Sequence, residues 1–514
     1  MSKITLSLLL ALAFSGGEAS AQGPTPARRK SQAKSVSEKS YEKARQVLDA
    51  GLVALGGVEA IRAAEDVSIK GKGVAYARNQ SVGVLPPFDA MPHDESLFVN
   101  TGRQRFVFEN RDPLPGGFVF GGKVVISGGQ GFFVNPRDRT VAPLNPANLP
   151  AVTLNYVRRL PHLLLMAARD RAQTLRWLGE AEFEGRRHNA LAFATSNGVL
   201  MTLFFDARTN LLSKYEQMVS DPQTGDAVQE TIFPGYQTVG GIKLPSGRIT
   251  KRGGEVLEDV EHTDAFVNTR PAESAFAKPE GFAELPAPAP PPTRETKLAD
   301  GVYLFESGAN SLVVEFADHV LVVEPYAGGR GPKPTINKIK EMMPGKPVKY
   351  IVVTHHHDDH SGGLRSYIAE GARVVTTPAN QNYFERMAAG TFTIARDDQT
   401  SAARKPVFDF VTRGKHVFTD GEQIVEVMNI GPSPHAREML IVYLPKEKLV
   451  FQGDLVNLPA DGKYAPSTVN DTTVHFYDTV KRMNLDVKRI AAVHGPPTTL
   501  EDLREAVEKK RAAK

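Results

Sequence analysis

The sequence predicts two folded domains, an antiparallel-sheet α+β domain followed by an α/β domain, and three observations indicate this. First, 514 residues are more than one compact hydrophobic core usually holds. Second, residues 67–268 read mostly as strands separated by turns, whereas strands and helices alternate after residue 297. Third, the proline-rich residues 285–296 separate the two patterns. We therefore assign residues 40–284 to the first domain and residues 297–514 to the second.

The first 21 residues have the pattern of a signal peptide. Lys3 precedes the apolar run ITLSLLLALAF (Ile4–Phe14), which is too short to span a bilayer. The sequence ASA (Ala19–Ala21) then has the form of a signal-peptidase site. We expect the polar residues 22–39 to be disordered. Since no other apolar run reaches about eighteen residues, we predict a periplasmic or secreted protein without a transmembrane anchor in the mature chain.

Composition excludes several classes of protein. The chain has no cysteine, which rules out disulfides and thiolate metal ligands. The formal net charge is only +4, and no helix dense in lysine and arginine is present, so nucleic-acid binding is not indicated.

The first domain reads as a curved antiparallel sheet with a helix or two packed on it. RQRFVFEN (Arg103–Asn110) is typical of its strands, while Ser40–Gly57 and Val157–Asp170 have helical spacing. We expect its histidines to lie at the surface: His93, His162, His188 and His262.

The segment between the domains predicts a spacer. Five prolines fall within Pro286–Pro292, which favours extended polyproline geometry and a semi-rigid linker. A proline-rich recognition ligand is the rival interpretation.

The second domain contains THHHDDHSGG (Thr354–Gly363) where a buried strand ends and a helix begins. Residues two apart at a strand end can point to one side, so His355 and His357 can share a metal ion. Asp359 and His360 follow in the turn and can reach the position of a second metal ion. Imidazoles with a carboxylate suit zinc and are compatible with iron or manganese. A histidine-rich surface tract is the alternative, but it needs no such placement.

The pattern His355-x-His357-x-Asp359-His360 resembles the H-x-H-x-D-H signature of the metallo-β-lactamase fold. That resemblance implies a four-layer αββα sandwich for residues 297–514. Three later positions match the remaining metal ligands of the family in order: His435 in NIGPSPHAREM, Asp454 in KLVFQGDLV and His494 in RIAAVHGPP.

The resemblance implies a site for two divalent metal ions, zinc being favoured. His355, His357 and His435 would hold the first ion, and Asp359, His360 and His494 the second. Asp454 would bridge them. The implied enzyme is a metallo-hydrolase that attacks a small-molecule substrate with hydroxide bound by both metal ions. Asp359 would also be catalytic, orienting the hydroxide and moving a proton to the leaving group.

The ligand pattern restricts the class of substrate. An ester, lactone or related acyl bond is the preferred target, because the β-lactamases of this fold generally lack an aspartate equivalent to Asp454. β-Lactam hydrolysis is the alternative. Sulfur dioxygenases of the same fold use one iron and three of the ligands, so a mono-iron sulfur dioxygenase is a further alternative function.

Other residues near the motif are not assigned as metal ligands. His356 and Asp358 occupy variable positions of the motif, where a supporting hydrogen bond is the only role considered. The family usually has an aspartate where this chain has Glu324, and the longer side chain puts its supporting contact in doubt. His475 is expected on a helix over the site, where it could contact substrate.

Two stretches of the first domain, Asp206–Glu216 and Phe233–Ile249, loosely resemble strands of periplasmic lipoprotein-carrier half-barrels. That resemblance implies an apolar ligand in the first domain. It also gives a competing function, in which the protein is a lipid-binding carrier with an incidental hydrolase-like domain.

Overall fold

The computed structural model describes residues 33–113, 119–287, 293–326, 331–458, 462–465 and 468–513. The predicted signal peptide, residues 1–21, and the centre of the predicted linker, residues 288–292, lie outside the described residues. The domain boundaries therefore stay predictions.

Fourteen strands of the first domain form one sheet, in the order β16-β6-β5-β4-β3-β2-β1-β15-β14-β11-β10-β9-β8-β7, and β12 and β13 form a separate hairpin. Neighbouring strands are antiparallel except β6 and β16. The strands are β1 (Val67–Tyr76), β2 (Ala90–Asn100), β3 (Arg105–Pro113), β4 (Val119–Ser127), β5 (Gln130–Asn135), β6 (Thr140–Pro143), β7 (Arg176–Phe183), β8 (Arg186–Ala194), β9 (Leu200–Asp206), β10 (Leu212–Asp221), β11 (Gly225–Ile232), β12 (Tyr236–Val239), β13 (Ile242–Pro245), β14 (Gly247–Arg252), β15 (Glu255–Val267) and β16 (Ala283–Glu284).

In the part of the chain that the structure describes, four helices accompany this sheet, where the sequence predicted one or two: α1 (Val36–Ala54), α2 (Val58–Ala63), α3 (Leu149–Val157) and α4 (Pro161–Asp170). Leu48 and Leu52 of α1 share one apolar core with Leu165 of α4 and with Leu203 and Phe205 of β9. Burying such side chains contributes roughly 1.5–3 kcal/mol each.

Two helix boundaries differ from the prediction. α1 begins at Val36 because Ser35 and Glu38 form a capping box, so the predicted disordered segment does not extend to residue 39. The helix predicted over Val157–Asp170 begins only at Pro161, as α4; Val157 is instead the last residue of α3, and Pro161 stands at the first turn of α4 and cannot continue α3.

The prediction that the histidines of the first domain lie at the surface is wrong. His93, His162, His188 and His262 are all buried. Most have polar partners inside: His188 Nε2 lies 2.8 Å from Ser213 Oγ, and His262 Nδ1 lies 2.8 Å from the Pro245 carbonyl. His93, His188 and His262 lie on strands, where the register of the sheet decides which side chains point inward, and His162 lies on the buried side of α4.

The second domain has two sheets. The first has seven strands in chain order, β17 (Arg294–Ala299), β18 (Val302–Glu306), β19 (Asn310–Glu315), β20 (Val320–Val323), β21 (Val348–Val352), β22 (Arg373–Thr376) and β23 (Phe408–Phe410). From β20 onward its neighbours are parallel. The second has six, β24 (Lys415–Thr419), β25 (Ile424–Asn429), β26 (Leu440–Leu444), β27 (Leu449–Gln452), β28 (Arg489–Ala492) and β29 (Thr498–Thr499).

The helices of this domain are α5 (Lys333–Met342), α6 (Asp358–Ser361), α7 (Leu364–Glu370), α8 (Gln381–Ala389), α9 (Asp398–Ala402), α10 (Asp471–Arg482) and α11 (Leu500–Ala512). Short 3-10 helices cover Pro146–Asn148, Ala172–Thr174, Glu273–Phe276 and Pro378–Asn380. Among the helices that the structure describes, none is long and apolar enough to cross a membrane.

Three apolar clusters organise the second domain. One joins the two sheets, with Leu312 and Val352 from the first and Val442 and Phe451 from the second. Another joins the first sheet to α5, α7 and α8. The third joins the second sheet to α10 and α11. The predicted α/β organisation is confirmed, and the ends of β21, β27 and β28 carry the polar residues described next.

Candidate metal centre

The histidine-rich motif lies at the end of β21. This strand is apolar and largely buried, as a strand covered on both faces should be. The chain leaves it at Thr354 and enters the short helix α6. His355, His357 and His360 are fully buried, whereas the Asp359 side chain is 32% exposed. The three histidines therefore point inward, and Asp359 stays partly accessible.

Three other loops complete the site. His435 lies between β25 and β26, Asp454 follows β27, and His494 follows β28. His435 and Asp454 are buried, and the His494 side chain is 32% exposed. The accessible side of the site is thus formed by Asp359 and His494.

Buried side chains hold these loops in place. Ser433 Oγ accepts a hydrogen bond from the His435 backbone N–H at 3.2 Å. Gln452 Oε1 accepts one from the Leu455 N–H at 2.7 Å, next to Asp454. Asn310 Nδ2 donates to the Gly495 carbonyl at 2.9 Å, next to His494.

Gly453 is required by close packing against the motif. A Cβ atom there would lie 2.6 Å from Thr354 Oγ1 and 3.1 Å from His355 Nδ1. The Gly-Asp pair therefore brings the β27 loop against the end of β21, which places Asp454 among the histidines.

All seven residues singled out from the sequence come together in two groups. The first group is His355, His357, His435 and Asp454, and the second is Asp359, His360, Asp454 and His494. Within each group, the candidate ligand atoms lie within 4.8 Å of one another. Asp454 belongs to both groups, as a bridging carboxylate would.

The separations of these atoms suit a metal ion. Two ligands at the usual zinc distances in tetrahedral geometry lie about 3.3 Å apart. His355 Nε2 lies 3.1 Å from His435 Nε2, which lies 3.4 Å from Asp454 Oδ2. In the second group, His494 Nε2 lies 3.1 Å from Asp359 Oδ2, and His360 Nε2 lies 3.2 Å from Asp454 Oδ2.

Hydrogen bonds select the ring nitrogen that faces each group. His355 Nδ1 lies 3.0 Å from Thr354 Oγ1, which leaves Nε2 directed at His435. His357 Nε2 lies 3.0 Å from the Ser81 carbonyl, and its buried Nδ1 has no hydrogen-bond partner. Outer contacts of this kind orient metal-ligating imidazoles in proteins. The donor set therefore fits divalent metal ions.

Glu324 makes the supporting contact that its longer side chain put in doubt. Its Oε1 accepts from the Thr354 N–H at 2.9 Å, and its Oε2 lies 3.0 Å from His360 Nδ1. Glu324 is fully buried and has a positive φ of 72°. That backbone conformation costs about 1–2 kcal/mol for a residue with a Cβ atom. The local geometry thus accommodates the extra methylene.

The pKa values of the site histidines are shifted by burial and by the neighbouring charged groups. Burial and the neighbouring histidines hold the pKa values of His355 and His357 well below normal, so their rings are neutral and have a lone pair to offer. Although burial opposes it, Asp359, Asp454 and Glu324 hold the pKa of His360 well above normal.

The structure also describes the other residues that the sequence singled out. Asp358 accepts hydrogen bonds from Asn79 Nδ2 at 3.1 Å and Gln80 Nε2 at 2.9 Å. His356 is buried beside the ring of Tyr383, and burial lowers its pKa to about 4. His475 is half-buried on α10, so its predicted helical position is confirmed.

Sequence reasoning missed the contribution of the first domain. Asn79, Gln80 and Ser81 contact the motif, yet they stand in the irregular connection after β1. Tyr326 was also missed, and its ring lies 6.3 Å from that of His494 at the accessible side. Neither segment has a periodic pattern or a motif that could have indicated these contacts.

Comparisons with known proteins agree with this geometry. Residues 304–507 match the family model described as "Metallo-beta-lactamase superfamily". The "Metallo-beta-lactamase type 2" of Elizabethkingia meningoseptica is 23% identical over 217 residues, covering 40% of this chain and 79% of that protein.

Solved structures of metallo-beta-lactamases are also similar to part of this chain. A metallo-beta-lactamase from Pontibacter korlensis has 22% identity and a TM-score of 0.33, covering 43% of this chain and 100% of its own. The mono-zinc form of the metallo-beta-lactamase FIM-1 from Pseudomonas aeruginosa has 21% identity and a TM-score of 0.33, covering 44% and 98%. The family-model match assigns residues 304–507 to the metallo-β-lactamase superfamily, and this membership supports a metallo-hydrolase enzyme.

Proposed function

We propose that this protein binds two divalent metal ions per chain and hydrolyses an ester, lactone or related acyl bond of a small molecule. The observation that carries the proposal is the position of Asp454. Its carboxylate belongs to both ligand groups, and within each group the candidate ligand atoms lie within 4.8 Å of one another. His355, His357 and His435 would hold one ion, and Asp359, His360 and His494 the other. Zinc suits this set, and iron or manganese are compatible with it.

Bound as a pair, such ions would lower the pKa of a water molecule and polarise the substrate oxygen. The protein's own groups then determine approach and proton movement. Asp359 and His494 are the exposed members of the set, so a substrate would enter on their side, past Tyr326. Asp359 would pass a proton to the leaving group, because it is the accessible carboxylate next to the reacting position.

β-Lactam hydrolysis is the second candidate. The match to a protein named metallo-beta-lactamase type 2 favours it. Against it stands Asp454, since β-lactamases of this fold generally lack an aspartate there. A mono-iron dioxygenase would use only one group and would leave Asp359 and His494 without a ligand role.

Three further expectations belong to the proposal. The three apolar clusters support the predicted four-layer αββα sandwich. Export rests on the pattern of residues 1–21. An apolar ligand of the first domain, and with it the carrier alternative, would fit the apolar part of a cavity of about 580 Å³, where Val157, Leu163 and Met166 lie beside the charged Arg62, Glu65, Arg103 and Asp170.

A substrate panel tests the proposal. The zinc-loaded protein should hydrolyse p-nitrophenyl esters or lactones, and the Asp359→Asn variant should be the matched inactive control. Cleavage of nitrocefin alone would establish the second candidate instead. Cleavage of bis-p-nitrophenyl phosphate alone, by protein with two zinc ions per chain, would overturn the acyl proposal.

A further inference from the structure

Residues 79–82, here called the bridging segment, connect the first domain to both sides of the metal centre. The Ser81 carbonyl lies 3.0 Å from His357 Nε2, and Gln80 Nε2 donates to Asp359 Oδ1 at 2.9 Å. The Val82 carbonyl accepts from the Arg437 N–H at 2.8 Å, two residues after His435. One short segment therefore contacts two of the loops that supply candidate ligands.

The contact with Ser81 determines how His357 can act. A backbone carbonyl can only accept, so the hydrogen of the neutral His357 ring must be on Nε2. The lone pair is then on Nδ1, which is buried and without a hydrogen-bond partner. The first domain thus selects the tautomer that His357 needs as a metal ligand.

The contact with Gln80 distinguishes the two oxygens of Asp359. Its Nε2 donates to Oδ1 of Asp359 and also to Oδ1 of Asp358, both at 2.9 Å. Oδ2 of Asp359 is left facing His494 Nε2 at 3.1 Å. Gln80 therefore holds this carboxylate with one oxygen turned toward the second ligand group.

The bridging segment is itself braced by the first domain. Asp89 Oδ2 accepts from Ser81 Oγ at 2.7 Å and from the Val82 N–H at 2.6 Å. Immediately before the segment, the buried Arg78 pairs with Asp221 at 2.8 Å. The sheet of the first domain can therefore impose a fixed position on the segment.

We propose that Gln80 and Ser81 are positioning residues of the metal centre, so that metal retention by the second domain depends on the first. The inference rests on the proposed function, because it assigns a role toward the same metal ions. It gives the first domain a part in building the active site. Loss of comparable outer contacts lowers metal affinity by about 10–100-fold.

The test measures metal affinity in the full-length protein, by competition for zinc with a chromophoric chelator. Gln80→Ala should weaken the second ion by about 10–100-fold, and Asp89→Ala, which releases the segment, should weaken both. The absorption spectrum of cobalt-substituted variants should also change, which a purely structural role would not cause.

The matched control is Asp226→Ala. Asp226 Oδ2 accepts a hydrogen bond from the Thr393 N–H at 2.8 Å, so Asp226 joins the two domains. Among the described residues, none of its hydrogen bonds reaches a loop that supplies a candidate ligand. This variant should keep wild-type zinc affinity. If the wild-type protein takes up two zinc ions and both Gln80→Ala and Asp89→Ala hold them as tightly, the inference is overturned while the proposed function stands. If wild-type protein takes up no zinc, the proposed function fails and the inference with it.

Discussion

Glu324 Oε2 and His360 Nδ1 lie 3.0 Å apart in a part of the site where both side chains are fully buried. The other oxygen of Glu324 accepts the Thr354 N–H at 2.9 Å. One carboxylate thus receives two donors and turns His360 Nε2 toward Asp454.

Glu324→Gln should lower zinc affinity about 10–100-fold. Both partners of Glu324 donate, and an amide can accept from only one of them while its NH₂ opposes the other. Chelator competition measures the effect. Unchanged affinity would show that this contact does not orient His360.

Asp454→Ala should reduce the metal content from two ions per chain to one or fewer. Asp454 is the member common to both ligand groups, so its loss removes a ligand from each. His355→Ala, by contrast, should chiefly empty the first group. Elemental analysis of purified variants measures this, and one iron per chain that is insensitive to Asp454→Ala would indicate the dioxygenase reading.

Asp359→Asn should retain much of the metal yet lose roughly two to four orders of magnitude in turnover, which is typical for a positioned acid–base group. The amide keeps the shape and an oxygen of the side chain but cannot carry the proton. Steady-state kinetics on the best substrate of the panel measures the loss. A variant with near wild-type turnover would remove Asp359 from the proton path.

The first domain should lose stability as pH rises toward 9. Although burial opposes it, Asp112 and Glu95 raise the pKa of His93 to about 9 from its usual 6.5. The stabilisation from charged His93 is therefore fully present below pH 6.5 and is lost as pH rises through 9. Its size is on the order of 3 kcal/mol, at about 1.4 kcal/mol per pKa unit.

Fluorescence of Trp177, the single tryptophan of the chain, follows unfolding of the first domain because it lies in β7. Urea midpoints of the wild type should fall between pH 7 and pH 10 more steeply than those of His93→Gln. Parallel pH profiles for the two proteins would contradict the assignment.

The sequence predicted four ligands from one contiguous motif, and it predicted His435, Asp454 and His494 from the resemblance to the family. His355, His357, Asp359 and His360 are adjacent in the chain, and a strand followed by a helix start is enough to place them together. The bridging segment could not be predicted, because Gln80 reaches Asp359 across 279 positions and only through tertiary contact. The prediction that the histidines of the first domain lie at the surface failed for a similar reason, because burial depends on which face of a strand or of α4 meets the core.

Anomalous X-ray diffraction from zinc-loaded crystals tests the central claim most directly. The account predicts two peaks about 3.5 Å apart, a spacing typical of two-metal sites. One peak should lie among His355, His357 and His435, the other among Asp359, His360 and His494, with Asp454 touching both. A single peak, or peaks away from these residues, would contradict it.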